Sequence, residues 1–397
     1  MELLNNPVRA YAWGSRTVIA EMLGRPVPSP HPEAEMWLGA HPGDPSHLAT
    51  GKSLVEAITA DPDGQLGTDR AGHWDATLPF LLKVLAADEP LSLQAHPSLE
   101  QARAGFAADE AAGLARDAPE RNYRDPNHKP ELICALTPFA ALVGFRAPAD
   151  TVQLLRALDV AAIAAHVELL SAQPDASGLR ALFTTWITLP QKMLDELVPA
   201  VAAAAVPLAG HGPWHVEART VLELAERYPG DAGVLAALLL NRVTLAPGEA
   251  LYLPAGNLHA YLSGAGVELM ANSDNVLRGG MTPKHVDVPE LLRVLDFHSG
   301  PPPVLRGDPD GDWVRYDTQA KEFLLRRCEA DSGEVAVPDD GPRILLCTAG
   351  EASLRADGTE LALPRGGAAW LAASDTGVTV SVRAPGTQLF VASDGLA

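Results

Sequence analysis

The pattern of apolar and polar positions changes character several times along the 397-residue chain. Up to about residue 90, short apolar runs such as 78–86 alternate with Pro and Gly, which predicts strands and loops more than helices. At Ser98-Leu99-Glu100-Gln101 a hydroxyl stands three residues before an amide. That is the order of a capping box, and the Ala-, Glu- and Arg-rich stretch behind it predicts a helical excursion over about 98–118. Strand character returns over 132–145. From about 149 to 241 Ala and Leu dominate with helical spacing, in 151–170, 179–187 and 216–228. Strands resume at Val243, and Asp287-Val288-Pro289-Glu290 predicts a short helix with an acidic cap and an early proline. The Gly- and Pro-rich stretch 299–312 reads as a linker. Beyond it 323–327, 343–348, 367–371 and 378–383 are short β-rich runs at sandwich-like intervals, as in a second, smaller barrel.

The most informative segment is 248–259. Gly248 makes a turn, the residues up to Leu253 have the content of a strand, and Pro254-Ala255-Gly256 break it to present His259 on a next short strand. Order and spacing resemble the second half of the cupin metal-binding motif, which implies a histidine ligand inside a small β-barrel and partner ligands upstream. In Leu91-Ser92-Leu93-Gln94-Ala95-His96-Pro97, alternation puts Gln94 and His96 on the same face of a strand. In Asn127-His128-Lys129-Pro130-Glu131, a carboxylate stands at the mouth of an apolar run. The expected ligand set is therefore Gln94, His96, Glu131 and His259. Two imidazoles, one carboxylate and one amide suit a borderline divalent ion, zinc first, with manganese, iron and cobalt as the other choices.

These blocks, with Tyr11-Ala12-Trp13-Gly14-Ser15, Glu33-Ala34-Glu35-Met36-Trp37-Leu38-Gly39-Ala40-His41-Pro42 and Asn272-Ser273-Asp274-Asn275-Val276-Leu277-Arg278-Gly279-Gly280-Met281-Thr282-Pro283-Lys284, resemble the type I mannose-6-phosphate isomerases. They follow that family's order over roughly the first three-quarters of the chain. The resemblance implies a mainly β fold of two cupin-like jelly-roll β-barrels plus an α-helical domain. The expected division is 1–148 with 242–298 for the catalytic barrel, 149–241 for the helical insertion and 299–397 for the smaller barrel. It implies zinc-dependent interconversion of mannose 6-phosphate and fructose 6-phosphate, with a proton moved between C1 and C2 through an enediolate. Arg278 matches the family's catalytic arginine and, always protonated, suits charge stabilisation better than proton uptake. The candidate proton carriers are His128, Lys129, Asp274 and Glu268. Lys129, Lys284 and Arg278 are the expected contacts to phosphate and sugar oxygens.

Composition narrows the alternatives. A formal net charge of −20, from 30 basic against 50 acidic residues, disfavours nucleic acid and anionic membranes as partners. No apolar run reaches the roughly 18 residues of a membrane helix. The N-terminus has no signal-peptide pattern, and three cysteines without CxxC spacing argue against a disulfide framework, so a cytoplasmic monomer is expected. His31, His41, His47, His73, His211, His215 and His298 lack partner spacing and read as surface or structural; Trp13 and Trp37 read as core. A non-catalytic cupin that senses a sugar phosphate would have no need of Arg278 and the lysines. A cupin oxygenase would want a histidine where Gln94 stands.

Overall fold

The strand His259–Ala271 is the spine of the molecule, 13 residues long. Its later half lies between Phe80–Ala87 and Glu131–Ala135, and its first half pairs with Phe139–Phe145 and, at one residue, with Gln94–Ala95, all antiparallel. The exchange of partners follows a register irregularity between Tyr261 and Ser263. There Gly264 takes φ +116°, and a Cβ on it would come within 2.6 Å of the Pro138 carbonyl oxygen, so only glycine lets the strand bend. Gly264 therefore bends one long strand where the sequence suggests a short one.

This computed structural model describes residues 1–396. It is mainly sheet with a group of helices, in layers. An eleven-stranded sheet runs from Val304–Leu305 through Ala250–Leu253, Glu131–Ala135, His259–Ala271, Phe80–Ala87 and Glu35–Gly39 to Val8–Arg9, with a branch that includes Gln94–Ala95 and Leu277–Arg278. An eight-stranded sheet packs on it through Met36, Leu82 and Leu269 against Ile344, Trp370 and Phe390. The other face of that sheet, through Leu345, Cys347 and Leu389, meets a four-stranded sheet at Leu354 and Val380. Burial on both faces explains why Arg343–Ala349 reads as a continuous apolar run instead of an alternating one. The helices Pro148–Leu158, Ala164–Ala172, Ala176–Ile187, Gln191–Ala205, His215–Arg227 and Ala232–Ala237 pack as one layer against Leu142, Phe145 and Leu258.

Several expectations need correction. The first ninety residues contain four short helices, Val18–Met22, Leu54–Ala60, Pro62–Leu66 and Thr68–His73, two of them capped by Ser53 and Asp61. The helix behind the Ser98–Gln101 capping box stops at Ala111. The helical pattern at 151–170 is broken at Asp159, which takes φ +49°. The stretch 299–312 is no free linker, since Val304–Leu305 pairs with Ala250–Leu253 and Asp308–Asp310 opens the eight-stranded sheet. The strands also ignore the expected division at 298: Glu2–Asn5 pairs with Ala368–Leu371 and with His47–Leu48 inside the sheet of C-terminal strands. Long-range pairing of this kind leaves no trace in local periodicity.

Candidate functional site

Three strand ends bring His96, Glu131 and His259 together, each at most 3% exposed. Glu131 opens its strand and lies across from Leu253, while His259 opens the spine strand across from Gln94. The turn between them is tied to His96 by Gly256, whose N–H donates to the His96 carbonyl at 2.8 Å. A Cβ on Gly256, at φ +79°, would meet Val294 and Asp296 at 3.1–3.2 Å.

Both histidines are fixed by backbone carbonyls. His96 Nδ1 lies 2.7 Å from the Asn275 oxygen and His259 Nδ1 3.1 Å from the Asn257 oxygen; carbonyls only accept, so each Nδ1 carries the proton and each Nε2 presents a lone pair. Those lone pairs face the Glu131 carboxylate, Nε2 to oxygen 3.4 Å in each case. His96 Nε2 is buried without a hydrogen-bond partner. Burial pushes the His96 imidazole down to about 4, with Glu131 pulling the other way, so a proton cannot serve as the bridge near neutrality. A carboxylate and two neutral acceptors, all within 4.8 Å of one another, repel unless a cation lies between them. The donor set fits a borderline divalent metal such as zinc.

In the metal-free protein this has a measurable consequence. A histidine whose folded pKa is depressed to about 4, against about 6.5 when unfolded, contributes nothing to stability above pH 6.5 and destabilises the fold as pH falls through that window. Denaturant titrations of the metal-free protein should lose on the order of 3 kcal/mol between pH 6.5 and 4 on this account. A His96→Gln variant showing the same loss would refute the assignment of the pH dependence to His96.

Gln94 pairs across the ladder with His259 on one side and Arg278 on the other. Opposed residues share a face, so the three side chains project together, with His96 two residues on. Lys129 is buried with its Nζ 2.8 Å from Glu131. Burial alone would raise the Glu131 carboxyl; the Lys129 ammonium overcomes this and holds it well below the usual carboxylate range.

The other expected site residues have different company. Glu268 lies directly opposite Lys83, 3.1 Å from its Nζ, and burial raises its carboxyl. Glu35 is 3.8 Å from the same ammonium and accepts from Trp37 Nε1 at 2.7 Å. With several carboxylates around one buried lysine, Lys83 stays protonated although desolvation opposes it. Asp274 is half-exposed, 3.4 Å from His41 Nε2, and the His41 bond holds its carboxyl low. His128 is turned to Glu322 at 2.6 Å, a residue of the loop before the strand Leu324–Ala330, and not to His96, Glu131 or His259. Lys284 is exposed at the rim, its ammonium pushed down by partial burial and by Arg278 and Arg124.

Sequence reasoning missed three residues here. His41 is no surface histidine: it is buried, its ring 4.8 Å from Trp37, and its Nδ1 accepts from Gly43, so Nε2 carries the proton toward Asp274. Lys83 had a signal, a lysine inside the apolar run Phe80-Leu81-Leu82-Lys83-Val84-Leu85. Arg124 had none. Among the described residues Arg124, Arg278 and Lys284 form no ion pair within 4.0 Å, yet they lie close enough for Arg124 to lower both of its neighbours.

Residues 1–148 match the family model for the catalytic domain of type I phosphomannose isomerase. The chain is 40% identical over 388 residues to a mannose-6-phosphate isomerase of Escherichia coli, covering 96% of this chain and 97% of the relative. It is 34% identical to the human mannose-6-phosphate isomerase, at 94% and 93% coverage. Among solved structures, a variant phosphomannose isomerase from Salmonella typhimurium superposes with TM-score 0.92 at 38% identity, covering both chains fully. The mannose 6-phosphate isomerase of that organism, solved with its substrate fructose 6-phosphate and with zinc, gives 0.90 at 37% identity over the full length of both.

Proposed function

Because this chain belongs to the type I mannose-6-phosphate isomerases, we propose that His96, Glu131 and His259, with Gln94 as the neutral fourth donor, hold the zinc of an aldose-ketose isomerase. The protein interconverts mannose 6-phosphate and fructose 6-phosphate. The observation that carries the metal reading is the pair of proton-free Nε2 atoms facing a buried carboxylate at 3.4 Å.

Zinc bound there would act as a Lewis acid toward the substrate's oxygens, where enediolate charge develops. The protein's own groups supply the rest. Lys129, buried with its Nζ 2.8 Å from Glu131, is the best placed of the four proton-carrier candidates, because it alone of them touches a residue that would hold the metal. Asp274, held by His41 at the mouth of the pocket, suits a substrate hydroxyl. Glu268 acts through Lys83 by fixing the charge of the pocket wall, and His128 is held at the rim by Glu322. Arg278 projects beside Gln94 to stabilise developing negative charge. Arg278, Lys284 and Arg124, which form no ion pair within 4.0 Å among the described residues, form the phosphate end of the pocket. This places Lys129 nearer the chemistry than the phosphate.

The same reading makes the strand layers two cupin-like jelly rolls with a helical insertion over 149–241, and makes the chain a cytoplasmic monomer. Its three free, buried cysteines and its acidic surface support that setting. No helix among the described residues is long and apolar enough to cross a membrane.

A coupled assay of mannose 6-phosphate conversion, run on native, chelator-stripped and zinc-restored protein, tests the proposal. Turnover should vanish with the metal and return with zinc. Undiminished turnover after verified stripping would overturn the metal assignment, and sugar phosphate binding without turnover in the zinc-loaded protein would favour a sensor.

A further inference from the structure

We propose that Asn275 is a positioning residue for the phosphate end of the pocket, setting Arg124 through the backbone and acting independently of the metal. The inference rests on the reading of Arg124, Arg278 and Lys284 as the phosphate contacts.

Asn275 has no exposed surface. Its Oδ1 accepts from the Arg124 N–H at 2.7 Å, and its Nδ2 donates to the carbonyls of Asp125 and Asn127 at 2.7 and 2.8 Å. Both halves of the amide are in use, and the two carbonyls dictate which end is nitrogen. An aspartate would set oxygen against oxygen. An alanine would leave one N–H and two carbonyls to find other partners in a water-poor site.

The neighbouring groups reinforce the same staple. Asp125 has no cation within ion-pairing distance among the described residues. Its carboxylate is held instead by the Asn127 and Asp274 N–H groups, 2.9 and 2.8 Å away, and by Ser273 Oγ at 2.8 Å. Segment 124–127 is thereby fastened to segment 273–275.

Such fastening has a physical purpose. Arg124 lies close enough to Arg278 and Lys284 to lower both, and the repulsion among these three cations, eased at Arg124 by the Asp274 carboxylate, would swing an unrestrained loop outward. Hydrogen bonds made by the backbone of Arg124 resist that motion while its guanidinium remains exposed to a ligand. The site is thus held open as an anion receptor before substrate arrives, which lowers the ordering cost of binding.

Asn275 also touches the metal site, through its backbone carbonyl on His96 Nδ1. That contact survives side-chain substitution, so the two roles can be separated. Asn275→Ala, Asn275→Asp and Arg124→Met would be compared in the full-length, zinc-loaded protein. The readouts are zinc stoichiometry, kcat and KM for mannose 6-phosphate, and the inhibition constant of inorganic phosphate.

The expected result for Asn275→Ala is native zinc content, kcat within about threefold, and KM and the phosphate inhibition constant both raised about tenfold, the scale of one lost charge-assisted hydrogen bond. Arg124→Met should shift the same two constants, and adding Asn275→Ala to it should change them little further. If Asn275→Ala fails to fold, Asn275→Asp, equal in size, carries the same expectation. Zinc and kcat lost together at unchanged KM would overturn the inference, as would native constants in the Asn275 variants when Arg124→Met shifts them. Native constants in Arg124→Met would instead show that the phosphate assignment of Arg124 is wrong.

Discussion

Replacing His259 by alanine should strip the protein of zinc and reduce turnover by about 10³-fold or more, while leaving the fold in place. The imidazole is almost completely buried and its Nδ1–H is committed to the Asn257 carbonyl, so its remaining nitrogen points only at Glu131. Without it the site keeps one imidazole, one carboxylate and one amide, too few strong donors for a tight zinc site. Loss of residues that merely orient ligands already costs about 10–100-fold in affinity, and loss of a ligand costs more. The rate follows, because charge developing on the substrate oxygens then lacks its strongest stabiliser. Stability should change little, since the deletion also removes a lone pair that faces a carboxylate in the metal-free protein. Zinc content by elemental analysis and turnover, measured on the same sample, check this. A variant that retains stoichiometric zinc would remove His259 from the ligand set.

Arg278→Ala should do the opposite on the first readout and nearly the same on the second. Zinc and thermal midpoint should stay near native, and kcat should fall about 10²- to 10³-fold, the scale of removing one preorganised donor from a developing oxyanion. Arg278 sits on the two-residue strand Leu277–Arg278, whose pairing with Gln94–Ala95 does not depend on the side chain. Its charge is already pushed down by burial and by Arg124, so removing it relieves repulsion and does not break an ion pair. Arg278→Lys should recover little, because an ammonium cannot reproduce a planar fork of donors. Near-native kcat in the alanine variant would sink the stabilising role.

The cluster of His96, Glu131 and His259 was legible because its signals are local: Gln94 and His96 stand two residues apart at a strand end, and His259 follows a turn written in Pro, Ala and Gly. The helical layer was legible because Ala and Leu recur at helical period. Arg124 and Asn275 were not, because what distinguishes them is a set of hydrogen bonds between segments about 150 positions apart. The place of His41 beside Asp274 was missed for a related reason. Nothing in Gly39-Ala40-His41-Pro42 says that Trp37 and Asp274 will enclose it. Lys83 was the avoidable omission, since a lysine inside a fully apolar strand must find a buried anion.

The pairing of Glu2–Asn5 with Ala368–Leu371 gives this protein a problem of timing. During synthesis at about 5–20 residues per second, Glu2–Asn5 waits on the order of half a minute for its partner. Until then its edge and the apolar face it will cover are open to chaperones, to proteases and to other nascent chains. A layer begun by an early strand is therefore completed only by one made much later.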